Sequence, residues 1–252
     1  MRGQAGPAGR GGREGLDTLL GGGIEAGTAC MIVGATGTGK TSLATLYAYT
    51  AAKRGDLAAI FTFEERHETF LRRSKGLGMD LRPLVDQGSM VLRSIRTAEL
   101  APTEFTELVR RTVVEDGAKI VVIDSLTGYF HSMPQENALV TQMHDLLYFL
   151  GQMGVLSFLI LNQHGMVGER VHGPMEISYL ADTVFLLRLF EGNGIVRKAV
   201  SVLKKRHGPH ETTIRELQLA PGKVDVGEPI ADFTGVLSGQ PRFTGGAKDL
   251  PE

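Results

Sequence analysis

Short apolar runs alternate with amphipathic stretches along most of this 252-residue chain. Five runs, at residues 29–33, 57–63, 90–95, 119–123 and 155–161, are mainly apolar. That is the pattern of strands buried on both faces. Other segments repeat their apolar residues at helical spacing. Residues 103–116 put Phe105, Leu108, Val109, Thr112 and Val113 on one side, and Gly117 is a natural stop. Residues 137–153 do the same with Leu139, Met143, Leu146 and Leu150, ahead of Gly154. The alternation predicts an α/β fold, a mainly parallel sheet with helices on both faces. The pattern changes after residue 180, where 181–190 and 197–206 read as strands joined by Glu191-Gly192-Asn193-Gly194. A hairpin extending the sheet with antiparallel strands is the simplest account, and 213–219 could add one more strand.

Composition bounds the picture without sharpening it. Hydrophobic residues make up 42% and charged residues 22%, an ordinary globular balance, and the length allows one sizeable domain or two small ones. The formal net charge of -1 counts against a chain whose main task is gripping nucleic acid. The single cysteine, Cys30, sits in an apolar run and reads as a small buried hydrophobe. Residues 1–13 are rich in Gly and Arg and read as a flexible tail or linker, and residues 239–252 as a C-terminal tail, leaving 14–238 as the domain. No apolar run approaches the length of a membrane span or a signal peptide core, so a reducing cytoplasm is the expected location.

The first specific chemistry lies at residues 34–41, GATGTGKT, which satisfies G-x-x-x-x-G-K-[ST]. Gly34, Gly37 and Gly39 let the backbone wrap around phosphates, so that its N–H groups, with those of Thr36 and Thr38, face an anion. Lys40 reaches the β- and γ-phosphates, and the Thr41 hydroxyl can ligate Mg²⁺. The helix expected from Lys40 to about Ala52 points its positive end at a triphosphate. An apolar strand before and a helix-forming segment after give the motif the context it needs. ATP and Mg²⁺ are therefore the expected ligands.

Ile120-Val121-Val122-Ile123-Asp124 supplies a carboxylate at a strand end, where it can stand beside the magnesium. The run at 59–63 ends in Glu64 and Glu65. Residues just past a strand's C-terminal end face the ligand crevice of such a sheet, so one glutamate could activate the attacking water and the other tune it. The alternative is that both are acids in the first turn of a helix. Asn162-Gln163 ends another apolar run, and its amides could touch the γ-phosphate or simply close the strand.

Taken together, these segments resemble the RecA-like P-loop NTPases, and within them the KaiC family of circadian-clock ATPases. The resemblance runs from about Gly15 to Gly245, through GLDTLLGGGIEAGTACMIVGATGTGKT, FTFEER, VVIDSLT, ISYLADTV, VLKKRHGPHE and GVLSGQPRFTG. It implies a hexameric ring with ATP held between subunits and a signalling or clock partner protein. It implies that Glu64 and Glu65 are the catalytic glutamates and that Lys204 and Arg206 are offered to the γ-phosphate by the adjacent subunit. From the residues alone, Lys204-Lys205-Arg206 reads as a solvated face. The family's C-terminal domain, which this chain resembles most, phosphorylates itself on a Ser-Thr pair. The matching positions are Ser178 and Tyr179, so the serine is retained and a tyrosine stands in place of the threonine. A serine autokinase is thus implied beside the ATPase. A nucleotide-gated interaction module with very slow hydrolysis and a DNA recombinase of RecA type are the competing readings.

Overall fold

The computed structural model describes residues 9–63, 65–96, 100–130, 136–163, 179–192 and 194–245. The elements run α1 (Glu14–Leu19), β1 (Ala29–Gly34), α2 (Lys40–Arg54), β2 (Ala58–Thr62), α3 (His67–Gly76), α4 (Arg82–Asp86), β3 (Met90–Ser94) and α5 (Pro102–Val114). They continue with β4 (Ile120–Asp124), α6 (Leu126–Phe130), α7 (Glu136–Gln152), β5 (Leu156–Asn162), β6 (Thr183–Gly192), β7 (Ile195–Lys205), β8 (Arg215–Ala220), β9 (Lys223–Pro229), β10 (Phe233–Thr234) and β11 (Arg242–Phe243).

The nine strands β1 to β9 form one sheet in the order β3-β2-β4-β5-β1-β6-β7-β8-β9. From β3 across to β6 neighbouring strands are parallel. From β6 outward the pairs β6–β7, β7–β8 and β8–β9 are antiparallel. The expected hairpin does extend the sheet: β6 lies parallel to β1, and β7 turns back as the first antiparallel strand. Strand direction depends on how the chain crosses over before β6, which hydrophobic pattern does not encode.

Successive strand residues face opposite sides of a sheet, and that explains the consecutive apolar runs. Cys30, Ile32, Ile60, Val122, Phe158 and Ile160 face a core closed by α1 to α4 through Leu16, Leu43, Tyr47 and Phe70. Met31, Val33, Phe61, Val121, Ile123 and Leu159 face the second core, closed by α5, α6 and α7 through Phe105, Val109, Tyr129, Leu139, Met143, Leu146 and Leu150. The helical positions read from spacing are thus the buried ones, apart from Leu108, which is partly buried against this core. Each fully buried Leu or Phe contributes about 1.5–3 kcal/mol through burial. A third cluster, Phe190, Ala199 and Val236 with Phe233 against it, seats the chain's C-terminal part on β6 and β7.

Residues ahead of α1 have tertiary partners. Gly9 bridges Ile24, the Gly11 N–H donates to Asp17 at 2.8 Å, and the Arg13 Nε donates to the Val224 carbonyl at 2.9 Å. Cys30 is fully buried, and burial first, then the Asp182 charge, holds its thiol well above the ordinary value. Among the described residues, no helix is long and apolar enough to cross a membrane.

Candidate nucleotide site

β1 delivers the chain to the cradle and α2 takes it away. Gly37 and Gly39 hold φ values of +82° and +102°, the left-handed region that glycine enters without a Cβ penalty. Gly34 is required for space instead: a Cβ there would lie 2.5 Å from the Leu187 carbonyl oxygen and 2.9 Å from the Thr38 hydroxyl. Thr36 and Gly37 form the exposed crest of the loop. Beneath it the Thr38 hydroxyl and the Lys40 ammonium both donate to the Ala35 carbonyl, at 2.8 and 2.7 Å. The ammonium is thereby folded over its own loop, at the start of α2.

Asp124 ends β4 in register with Thr62 of β2, and the Thr41 hydroxyl donates to its carboxylate at 2.6 Å. A hydroxyl and a carboxylate oxygen side by side match the hard-oxygen set that Mg²⁺ takes from a protein, the remaining positions going to phosphates and water. The donor chemistry and the glycine cradle therefore fit a magnesium nucleotide. Among the described residues, no group of three His, Cys, Asp or Glu side chains could hold a metal by itself.

Glu64 lies outside the described residues, so the two glutamates divide. Glu65 is held in a two-point bridge by Arg73 of α3, with Nε to Oε1 at 3.1 Å and Nη2 to Oε2 at 2.8 Å. The same guanidinium reaches the Ser42 hydroxyl of α2 at 3.3 Å and rests over the Phe70 ring at 4.9 Å. Arg73 thus ties the exit of β2 to the helix that carries Thr41. Sequence reasoning did not find it, because on a charged helix, eight residues past Glu65, it looks like solvated surface.

The polar tip of β5 joins the crevice. The Asn162 N–H donates to the Thr127 hydroxyl at 3.1 Å, and the Gln163 N–H donates to the Gly34 carbonyl at 3.0 Å. The Gln163 side-chain oxygen is buried and has no hydrogen-bond partner among the described residues. That oxygen lies beside the loop entrance, where a bound ligand or water could satisfy it.

Lys204 and Arg206 lie elsewhere. Gly34 at the loop end of β1 is level with Leu187 of β6, whereas Thr183, at the other end of β6, is level with Lys205. The intervening four residues of strand span roughly 13 Å. Both side chains are directed further away still: Lys204 Nζ donates to the Ala181 carbonyl at 2.8 Å, and Arg206 donates to the Tyr179 carbonyl at 3.0 Å and faces Asp182 at 3.5 Å. Partial burial, then the Arg206 charge, lowers the Lys204 pKa below the ordinary lysine value, with Asp182 opposing. The two cations therefore do not meet their own chain's Lys40 and Thr41. Ser178 lies outside the described residues, and Tyr179 is exposed.

Comparison with known proteins fits this arrangement. The pattern that defines the KaiC ATPase family matches residues 10–230. Circadian clock protein KaiC3 of Synechocystis sp. is 26% identical over 234 residues, covering 92% of this chain and 46% of that protein. The circadian clock oscillator protein KaiC of Thermostichus vulcanus is 25% identical over 226 residues, covering 90% of this chain and 43% of that protein. That of Acaryochloris marina gives the same 25% over 226 residues, with the same coverage of 90% and 43%. The chain spans about half the length of these relatives. With a P-loop, an Asp-ended strand beside it and a family match over most of its length, this chain belongs to the KaiC ATPase family.

Proposed function

We propose that the chain hydrolyses ATP at sites shared between identical copies arranged in a ring, with six copies by the resemblance. Gly34, Thr36, Gly37, Thr38, Gly39 and Lys40 would cradle the phosphates, and Thr41 and Asp124 would hold Mg²⁺. The bound ion supplies positive charge against the β- and γ-oxygens. Glu64 would orient and deprotonate the attacking water, with Glu65 beside it, and Gln163 would turn its buried amide toward the terminal phosphate. Lys204 and Arg206 would reach the γ-phosphate of the neighbouring copy. Residues 14–238 form the working unit in this account, in the cytoplasm, serving a signalling or clock partner; the relatives are named as circadian clock proteins.

The observation that carries the proposal is the separation of charge along the sheet. The cations expected to stabilise transferring phosphate are at the end opposite their own P-loop, with the Thr41–Asp124 pair at 2.6 Å at the other end. A second copy, placed against this end of the sheet, would bring such groups together. Ser178 would be the acceptor of an autokinase reaction, its hydroxyl replacing water as the nucleophile.

A second reading, a nucleotide-gated interaction module with very slow turnover, is favoured by the Arg73 bridge, which occupies the Glu65 carboxylate. Glu64→Gln with Glu65→Gln separates the readings when turnover and ATP binding are measured together. The ATPase account expects turnover to vanish and binding to persist, whereas wild-type hydrolysis by the double variant would remove both glutamates from the mechanism. Native mass spectrometry after incubation with ATP and Mg²⁺ reports ring size and added phosphate at once. A monomer that hydrolyses ATP at full rate contradicts the shared site.

A further inference from the structure

Between Lys204 and Arg206 stands a third cation whose surroundings are different in kind. The Lys205 side chain is only 2% exposed. Its ammonium donates to the Leu20 carbonyl at 2.7 Å and to the Gly23 carbonyl at 3.0 Å, lies 3.5 Å from the Pro209 carbonyl, and pairs with Glu25 at 3.3 Å. An ammonium has three N–H donors and no acceptor, and the Leu20, Gly23 and Pro209 carbonyls with the Glu25 carboxylate together take up all of them. The cradle itself comes from the segment between α1 and β1. Its backbone needs glycine at Gly21, where φ is +64° and a Cβ would lie 2.4 Å from the Pro209 oxygen.

An irregularity in β7 decides which lysine enters that cradle. Val184 is level with Lys204 and Phe185 with Val202, so Leu203 is passed over as a bulge and stands 48% exposed. Val200 and Val202 face the core closed by α1 to α4. Continued alternation would send Lys204 to that same face and Lys205 to the other. The extra residue reverses the order: Lys205 enters the first core's side, beside Leu20, and Lys204 and Arg206 emerge together on the opposite side beside Ala181 and Asp182.

We propose that Lys205 is a positioning residue for catalysis: locked into the segment from Leu20 to Glu25, it fixes the end of β7 so that Lys204 and Arg206 project as a rigid pair. The inference rests on the reading that this pair serves a neighbouring copy's phosphates. Burying an ammonium among carbonyls is costly unless every donor is satisfied, and here the satisfied cation immobilises the residues on both sides of it. Arg206 is further tied by its backbone N–H, which donates to the Asp182 carbonyl at 2.9 Å.

The test is steady-state ATP turnover in the assembled protein, comparing Lys205→Met, Lys205→Arg and Glu25→Gln with the double variant Lys204→Ala/Arg206→Ala. Lys205→Met is expected to lose at least about tenfold in kcat, short of the roughly 10³-fold that loss of such a finger itself can cost, with KM within about twofold. Lys205→Arg, which keeps charge and donors, should recover part of the loss. Glu25→Gln should shift kcat the same way by less, and it carries the test if Lys205→Met does not fold. Wild-type kcat in Lys205→Met and Glu25→Gln, beside an inactive double variant, overturns the proposal and leaves the roles of Lys204 and Arg206 standing. A lowered melting temperature with unchanged kcat makes Lys205 structural only and also overturns it. A double variant with wild-type kcat overturns instead the reading on which the proposal rests.

Discussion

Gly34 carries the tightest steric demand at the phosphate loop, and the demand comes from a neighbouring strand. Its missing side chain lets the Leu187 carbonyl of β6 approach to where a Cβ would sit, 2.5 Å away, and that contact is with backbone, which cannot swing aside. Gly34→Ala should therefore destabilise the fold by about 1–3 kcal/mol through overpacking, measured by denaturant unfolding, and weaken ATP binding by shifting the loop. Unchanged stability and binding would mean that the strands part freely there. The motif pattern alone marked this glycine, along with Lys40, Thr41 and Asp124. It could not mark Arg73 or Lys205. Both are long cations in charged stretches, and their partners, Ser42 for one and Leu20, Gly23 and Glu25 for the other, come from remote parts of the chain.

At the scale of elements, burial on two faces made the strands legible. β1, β2, β4 and β5 were found within one or two residues because both their faces are apolar, and α5 and α7 because their spacing repeats. Pro102 opens α5, and Glu104 accepts the Ala101 N–H at 2.8 Å, which moves its start one residue ahead of the expected one. α3 entered only as an alternative setting for Glu64 and Glu65, because it buries only Phe70, Leu71 and Ser74 among charged residues, and it starts at His67, after Glu65; β9 escaped notice because two valines are its only buried positions. The outer strands are held partly by polar contacts. Arg197 of β7 makes hydrogen bonds of 2.9 and 2.6 Å to Glu216 of β8 and covers the Phe190 ring at 5.3 Å. Those hydrogen bonds lower the Glu216 pKa, with burial opposing. A carboxylate with a depressed folded-state pKa contributes stability above its unfolded value and loses it as pH falls through the folded one. Arg197→Met should thus lower the melting temperature at pH 7, and the gap from wild type should narrow as pH drops below about 4. A gap that stays constant down to acid pH would assign the loss to the Phe190 contact instead.

At the scale of the whole molecule, the proposed site residues lie at two ends of one sheet. One end holds the P-loop, Asp124 and the polar tip of β5, and the other presents Lys204 and Arg206 beside Asp182. The α/β class and the P-loop motif were readable from the chain because they follow from local pattern. The distance between cradle and cations was not, since it depends on β6 running parallel to β1 and β7 returning along it. That topology gives the shared-site account its most direct test. Lys40→Ala subunits lack a working P-loop but keep their cations, and Lys204→Ala/Arg206→Ala subunits have the reverse defect. Each protein alone should be inactive. If sites form between copies, dissociating, mixing and reassembling the two should restore ATP turnover, because some interfaces then join an intact loop to intact cations. A mixture as inactive as its two parents, with mixed rings confirmed by native mass spectrometry, would contradict the account.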